Sequence, residues 1–322
     1  MKNTRGFIVV LFMMISAAGY SQKTDTLLKK LDSLSKKADT GKQNDNINPE
    51  AYNATTKLDV PTYFILLGSN LKQQVTGPFH TSKKSWMQVG GFALLTGAIA
   101  FADVPIQRQG VKFGNNSATA RNISKFITDF GGLYEGYTLA ALGAYGFLFK
   151  NEKVKTTTLL ATQAYITGGV VQSITKFLTG RQRPNYYGSD SITPKATFHG
   201  PFGKEGKGYN GNTLSSSFPS GHTTVAFAAA TVFAMEYKDK PIVPILAYAA
   251  ASLVGVSRIT ENKHWATDVL VGAGLGYLSG RQVVNNYHRY ARLKAPKQKG
   301  NTVSFNLQYM YGQLVPGIVY TF

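Results

Sequence analysis

From about residue 58 to 290 the sequence is a succession of apolar, Gly- and Ala-rich segments, each of helical length and none alternating as a strand would. They run roughly over 61–76, 82–102, 122–149 with a break at Gly131-Gly132, 155–182, 220–237, 242–257 and 263–284. Boundary residues mark several of them: Thr81 ahead of the second, Pro184 behind the fourth and Ser220 ahead of the fifth. The pattern predicts an all-α body of six or more packed helices.

Whether those helices enter a bilayer stays open at this level. Uncharged runs cover Ser85–Ala102 (18 residues), Thr156–Thr175 (20) and Pro241–Ser257 (17), close to the ~20 residues that a span needs. Against spanning stand six Thr and two Gln within Thr156–Thr175, Gln88 in the first run and a mean hydropathy of −0.12. Gly and Ala at this density suit close helix packing in water or in lipid. The balance favours a water-soluble or peripherally bound bundle, with an integral membrane protein as the alternative.

The two ends differ from the body. Lys2 and Arg5 precede the apolar run Gly6–Ile15, and Ala17, Ala18, Gly19 and Ser21 follow, which reads as a secretory leader over residues 1–21. Residues 22–57 are a polar, Lys-rich arm whose weakly amphipathic stretch (Leu27, Leu28, Leu31, Leu34) is expected as a short helix and linker outside the fold. The helical body takes 58–290, and 291–322 forms a basic linker and a hairpin. Within that tail Val303, Phe305, Leu307, Tyr309 and Tyr311 alternate with more polar residues, and with the run Ile318–Phe322 they predict a β-hairpin tucked against the body. The basic stretch His288–Lys299 suits anionic headgroups or a solvated linker.

Lys and Arg number 35 against 16 Asp and Glu, a net charge of +19 that calls for a negatively charged partner. Export argues against nucleic acid, leaving an anionic membrane surface or a phosphorylated substrate. Cysteine is absent, which excludes disulfides, thiolate catalysis, zinc-cysteine sites and iron-sulfur clusters.

Three clusters carry the chemistry. Lys176 and Arg183, seven residues apart and followed by Pro184, are expected on one helix face near its C-terminus. They read either as an anion clamp or as a solvated stripe. In Phe218-Pro219-Ser220-Gly221-His222 a serine N-cap opens an apolar helix, so that the Gly221 and His222 amides sit at the positive end of the helix dipole. That is an anion site with a titratable group beside it, or a plain capped helix with an incidental histidine. In Ser257-Arg258, His264 and Asp268, the last two are spaced to share a helix face, where the carboxylate can fix the imidazole tautomer and Arg258 offers a planar donor fork for phosphate.

Taken in order, K-x6-R-P, P-S-G-H and S-R-x5-H-x3-D, with residues 185–218 and 223–256 between them, this sequence resembles the type 2 phosphatidic acid phosphatase superfamily. That superfamily holds bacterial acid phosphatases, lipid phosphate phosphatases and vanadium haloperoxidases; the resemblance covers about residues 80–285. It implies a helical bundle of the acid phosphatase/haloperoxidase type, with His264 as nucleophile, Asp268 orienting it and His222 as general acid. Lys176, Arg183, Ser220, Gly221 and Arg258 would bind the phosphate. No metal and no cofactor are implied. The expected function is a metal-independent phosphatase of the bacterial envelope, exported to the periplasm or cell envelope with membrane association as one option, which cleaves a phosphomonoester or pyrophosphate, most readily a lipid-linked one, through a phosphohistidine. A soluble periplasmic acid phosphatase is the alternative; a vanadate-dependent haloperoxidase or a non-catalytic lipid-binding protein are remoter ones. Oligomeric state is not legible.

Overall fold

The computed structural model describes residues 26–35, 57–187, 194–201, 216–294, 302–310 and 313–321. The expected leader, residues 36–56, most of the Gly-rich loop (188–193 and 202–215) and residues 295–301 lie outside the described residues. The helices are α1 (Thr26–Ser35), α2 (Val60–Thr76), α3 (Lys83–Ala100), α4 (Asp103–Asn116), α5 (Ala118–Asp129), α6 (Leu133–Leu148), α7 (Glu152–Thr179), α8 (Gly221–Glu236), α9 (Ile242–Thr260) and α10 (Ala266–Lys294). Strands β1 (Thr302–Met310) and β2 (Gln313–Thr321) form an antiparallel pair in which Phe305 faces Ile318 across the ladder. The all-α architecture with a C-terminal hairpin is therefore present, although the hairpin's extended contacts run between its own strands.

Local chemistry explains most helix starts. The side chains of Asp59, Ser82, Ser117 and Asn151 each accept a hydrogen bond from a backbone N–H three residues on, satisfying a donor that the first turn leaves unpaired. Ser82 thus caps α3 in place of the expected Thr81. Helix α7 ends at Gly180, which sits in the left-handed region at φ 53° and donates its N–H back to the Lys176 carbonyl. Pro184 lies four residues further on, so the expected helix through 182 is too long.

Helix α8 is the axis of the body. It is buried on every side, from Thr223 to Glu236, with α7, α9 and α10 packed around it. A stripe of glycines on α10 allows the closest approach: a Cβ on Gly272, Gly276 or Gly280 would strike the backbone carbonyls of Ser220, Thr224 and Ala228 respectively. Two helix backbones held this close leave little freedom to slide.

Polar side chains fasten the neighbouring face. Asn70 on α2 donates to Gln163 on α7 at 2.9 Å, Asn286 on α10 donates to Asn70 at 2.8 Å, and Gln73 donates to Asn286 at 3.0 Å. These groups are buried and their amides satisfy one another, which removes the cost of desolvating them. Helix α1 belongs to this face as well. Leu31 is fully buried in the main core, and Asp32 accepts hydrogen bonds from Ser69 and Lys72. The expectation of an arm outside the fold is corrected for this helix, because its apolar stripe finds a partner surface on α2 and α10.

Elsewhere much apolar surface is open. Met87, Leu94 and Phe101 at α3, Phe113 on α4, Phe126 on α5, Leu133, Phe147 and Leu148 on α6, and Ile245 and Leu246 on α9 are all exposed, Phe101 to 91%. Exposed apolar surface on this scale marks an interaction face. Among the described residues, α9 is long and apolar enough to cross a membrane, and α3 with α4, bent by 63°, passes the same test as a broken pair.

Candidate active site

The three motifs meet at one end of the bundle, where α7 and α9 finish and α8 and α10 begin. Lys176 lies in the last turn of α7; a Cβ added to Gly221 at the start of α8 would come within 3.2 Å of its Nζ. Arg183 is not on that helix, because Gly180 has already turned the chain. It reaches the site from the following segment, where its Nη2 donates to Ser216 at 3.4 Å. Arg258 arrives from the last turn of α9, donating to Thr128 at 3.4 Å and Glu261 at 3.2 Å. The buried Nε atoms of Arg183 and Arg258, like that of Arg181, have no hydrogen-bond partner among the described residues.

Ser220 is the N-cap residue of α8, as expected, but its hydroxyl accepts from Thr223 Oγ1 at 2.8 Å and caps no backbone amide. The Gly221 and His222 amides stand at the positive end of the axial helix. His222 is backed by the break between α5 and α6: Gly132 lies beside its ring, and a Cβ on Gly131 would strike it and Val254. Only glycine leaves room for the imidazole here.

His264 lies just before α10 rather than on it, and Asp268 is in that helix's first turn. The His264 Nδ1 is 3.4 Å from Asp268 Oδ2, a close approach that makes no hydrogen bond in the resting geometry. The same carboxylate oxygen accepts from the Trp265 N–H at 2.9 Å and from the Ser217 hydroxyl. Its other oxygen accepts from Arg181 Nη1 at 2.5 Å. Arg181 also pairs with Asp103 of α4 at 2.7 Å. The sequence reading named neither Arg181, Ser217 nor Asp103.

Electrostatics divide the groups into two sets. Burial, and then the neighbouring Arg183 guanidinium, push Lys176 down to about 8. Burial, and then Arg258 and the other cations, push His222 down to about 3. Burial outweighs Asp268 at His264, also lowered to about 3, so its imidazole rests neutral. Burial alone would raise the Asp268 carboxyl, yet the contact with His264 and the Arg181 charge hold it below the usual carboxylate range. Lys176 and Arg183 have no carboxylate partner among the described residues, and the cations repel one another. Such a cluster lowers its free energy by taking in an anion with several acceptor oxygens.

Residues 157–292 match the family model of the PAP2 superfamily. The chain is similar to the lipid A 1-phosphatase of Porphyromonas gingivalis, 34% identical over 146 residues that make up 44% of this chain and 27% of that one. It is also similar to lipid phosphate phosphatase 1 of Arabidopsis thaliana, 34% identical over 166 residues, 43% of this chain and 50% of the relative. The alignments thus span about a quarter and half of these curated relatives. Among solved structures, a transmembrane PAP2 type phosphatidylglycerolphosphate phosphatase from Bacillus subtilis aligns with a TM-score of 0.44 and 24% identity, covering 60% of this chain and 90% of that one.

Proposed function

We propose that the chain, whose residues 157–292 match the PAP2 superfamily model, is a phosphohydrolase acting on a lipid phosphate at a membrane surface. The observation that carries this reading is the convergence of three cations, two of them without a carboxylate partner among the described residues, and a helix N-terminus around a neutral histidine 3.4 Å from a carboxylate. Phosphoryl transfer needs positioning and electrostatic stabilisation more than covalent help from the protein.

His264 Nε2 attacks phosphorus with its lone pair, and the bond from phosphorus to the leaving oxygen breaks. The proton on Nδ1 stays directed at Asp268, whose charge stabilises the imidazolium that develops. Lys176, Arg183, Arg258 and the amides at Gly221 and His222 hold the equatorial oxygens. His222 gives its proton to the leaving oxygen. Burial and then the neighbouring cations keep it neutral at rest; a phosphate dianion among those cations offsets their share and so favours the protonated acid. Water, deprotonated by the now neutral His222, then attacks the phosphohistidine and releases inorganic phosphate and free His264.

A lipid substrate is supported by the exposed apolar residues of α3, α5, α6 and α9, and by the names of the two relatives. Export to the bacterial envelope rests on the leader-like sequence at residues 1–21.

Purified protein should release phosphate from phosphatidate, lipid A or a polyprenyl pyrophosphate in the presence of EDTA, and faster than from a soluble phosphomonoester. His264→Ala should abolish turnover while keeping the wild-type circular dichroism spectrum. Undiminished activity in that variant would sink the mechanism, and a preference for the soluble ester would replace the lipid reading by that of a non-specific acid phosphatase.

A further inference from the structure

Building on the phosphohydrolase reading, we propose that Asp103 and Arg181 are positioning residues that present the Asp268 carboxylate to His264. Asp103 stands on α4, outside the family-matched span, yet it is fully enclosed with Arg181 and Asp268. Its Oδ1 accepts from the Thr267 backbone N–H at 2.9 Å, and its Oδ2 accepts from Thr267 Oγ1 at 2.6 Å and from Arg181 Nη2 at 2.7 Å. Arg181 Nη1 in turn donates to Thr267 Oγ1 at 2.7 Å and to Asp268 Oδ1 at 2.5 Å. Phe198, Phe218 and Trp265 surround the guanidinium at 5.0, 5.9 and 5.6 Å from their ring centroids.

Two consequences follow from this arrangement. The first is geometric: with Oδ1 fixed by Arg181 and Oδ2 accepting from Ser217 and the Trp265 amide, the carboxylate has one orientation, and that orientation places Oδ2 at His264. The second is electrostatic. An isolated Arg181–Asp268 pair would be neutral and offer little to an imidazole gaining positive charge. Asp103 restores one net negative charge to the cluster, so that the charge of Asp268 remains available when His264 becomes cationic. The buried network could instead serve folding alone, and the two roles separate by experiment.

Asp103→Asn should lower kcat toward a lipid phosphate by about 10- to 100-fold, the size of effect expected when a reacting group is slightly misdirected, with KM within about twofold of wild type. In an Asp268→Asn background the same change should do almost nothing further, because the pair acts through that carboxylate. Nitrogen-15 NMR of the resting protein should show the Nδ1–H tautomer of His264 in wild type and a mixture in Asp103→Asn. If Asp103→Asn does not fold, Thr267→Val, which removes the bridging hydroxyl and no charge, should show the same pattern more weakly. An unchanged kcat, or an equal loss with and without Asp268, would overturn the proposal. A wild-type protein inactive on every phosphate would overturn the reading beneath it, while the tautomer measurement would still decide the role of the pair.

Discussion

Two buried clusters of charge flank His264, and they are built on opposite plans. Asp103, Arg181 and Asp268 form a closed set in which each carboxylate oxygen has a donor and the guanidinium bridges both acids. Lys176, Arg183 and Arg258 form an open set, rich in donors and poor in acceptors. The closed set has its charges paired, although the Arg181 Nε has no hydrogen-bond partner among the described residues, and so contributes rigidity. The open set carries an unfavourable energy that only an incoming anion relieves, and so contributes binding. Burial alone would not distinguish the two; the pairing of cation with carboxylate does.

The sharpest break between them is in activity. Arg183→Ala should lower phosphate release by about 100- to 1,000-fold, the usual loss when one transition-state donor is removed. Its thermal midpoint should hold or rise, since a cation has left a crowd of cations. If the variant melts far below wild type, the open set is structural after all. Arg181→Ala should behave in the reverse sense, losing about 3–5 kcal/mol in denaturant titration because two buried carboxylates are left without their shared cation. Equal melting behaviour for the two arginine variants would erase the distinction.

A smaller effect should appear with acid. His222 and His264 are held near 3 in the folded protein against about 6.5 for an unfolded histidine. Unfolding therefore takes up protons between those values, and the stability that the histidines allow is full above about 6.5 and falls as pH drops toward 3. His222→Asn should flatten part of that slope in a series of melts from pH 7 to about 4. A slope identical to wild type would place the acid lability elsewhere.

The open set was legible in sequence because its members sit in short motifs at fixed spacing, and the eight residues those motifs named lie at one end of the bundle. What was missed depends on distant contacts. Asp103 lies 164 residues from Thr267 along the chain, and α4, with Pro105, Gly110 and Gly114, carries no clean apolar period. Arg181 was inside the quoted K-x6-R-P motif but counted only as a spacer. Gly180 was an available stop signal that would have shown Arg183 to be beyond the helix. The six Thr of Thr156–Thr175 were weighed as polar, yet Thr157, Thr158 and Thr175 each donate to a carbonyl four residues back on their own helix. A hydroxyl satisfied in this way counts little against an apolar setting.

The glycine stripe of α10 has a consequence for how such a chain can change over generations. Because Gly272, Gly276 and Gly280 bring α8 and α10 into contact through their backbones, the spacing between the helix starts that carry His222 and Asp268 is fixed without outward-facing side chains. Mutational drift can then accumulate on α3, α5, α6 and the outer side of α9, adapting the exterior to new surroundings while the reacting groups stay in register. The three glycines are where that tolerance ends.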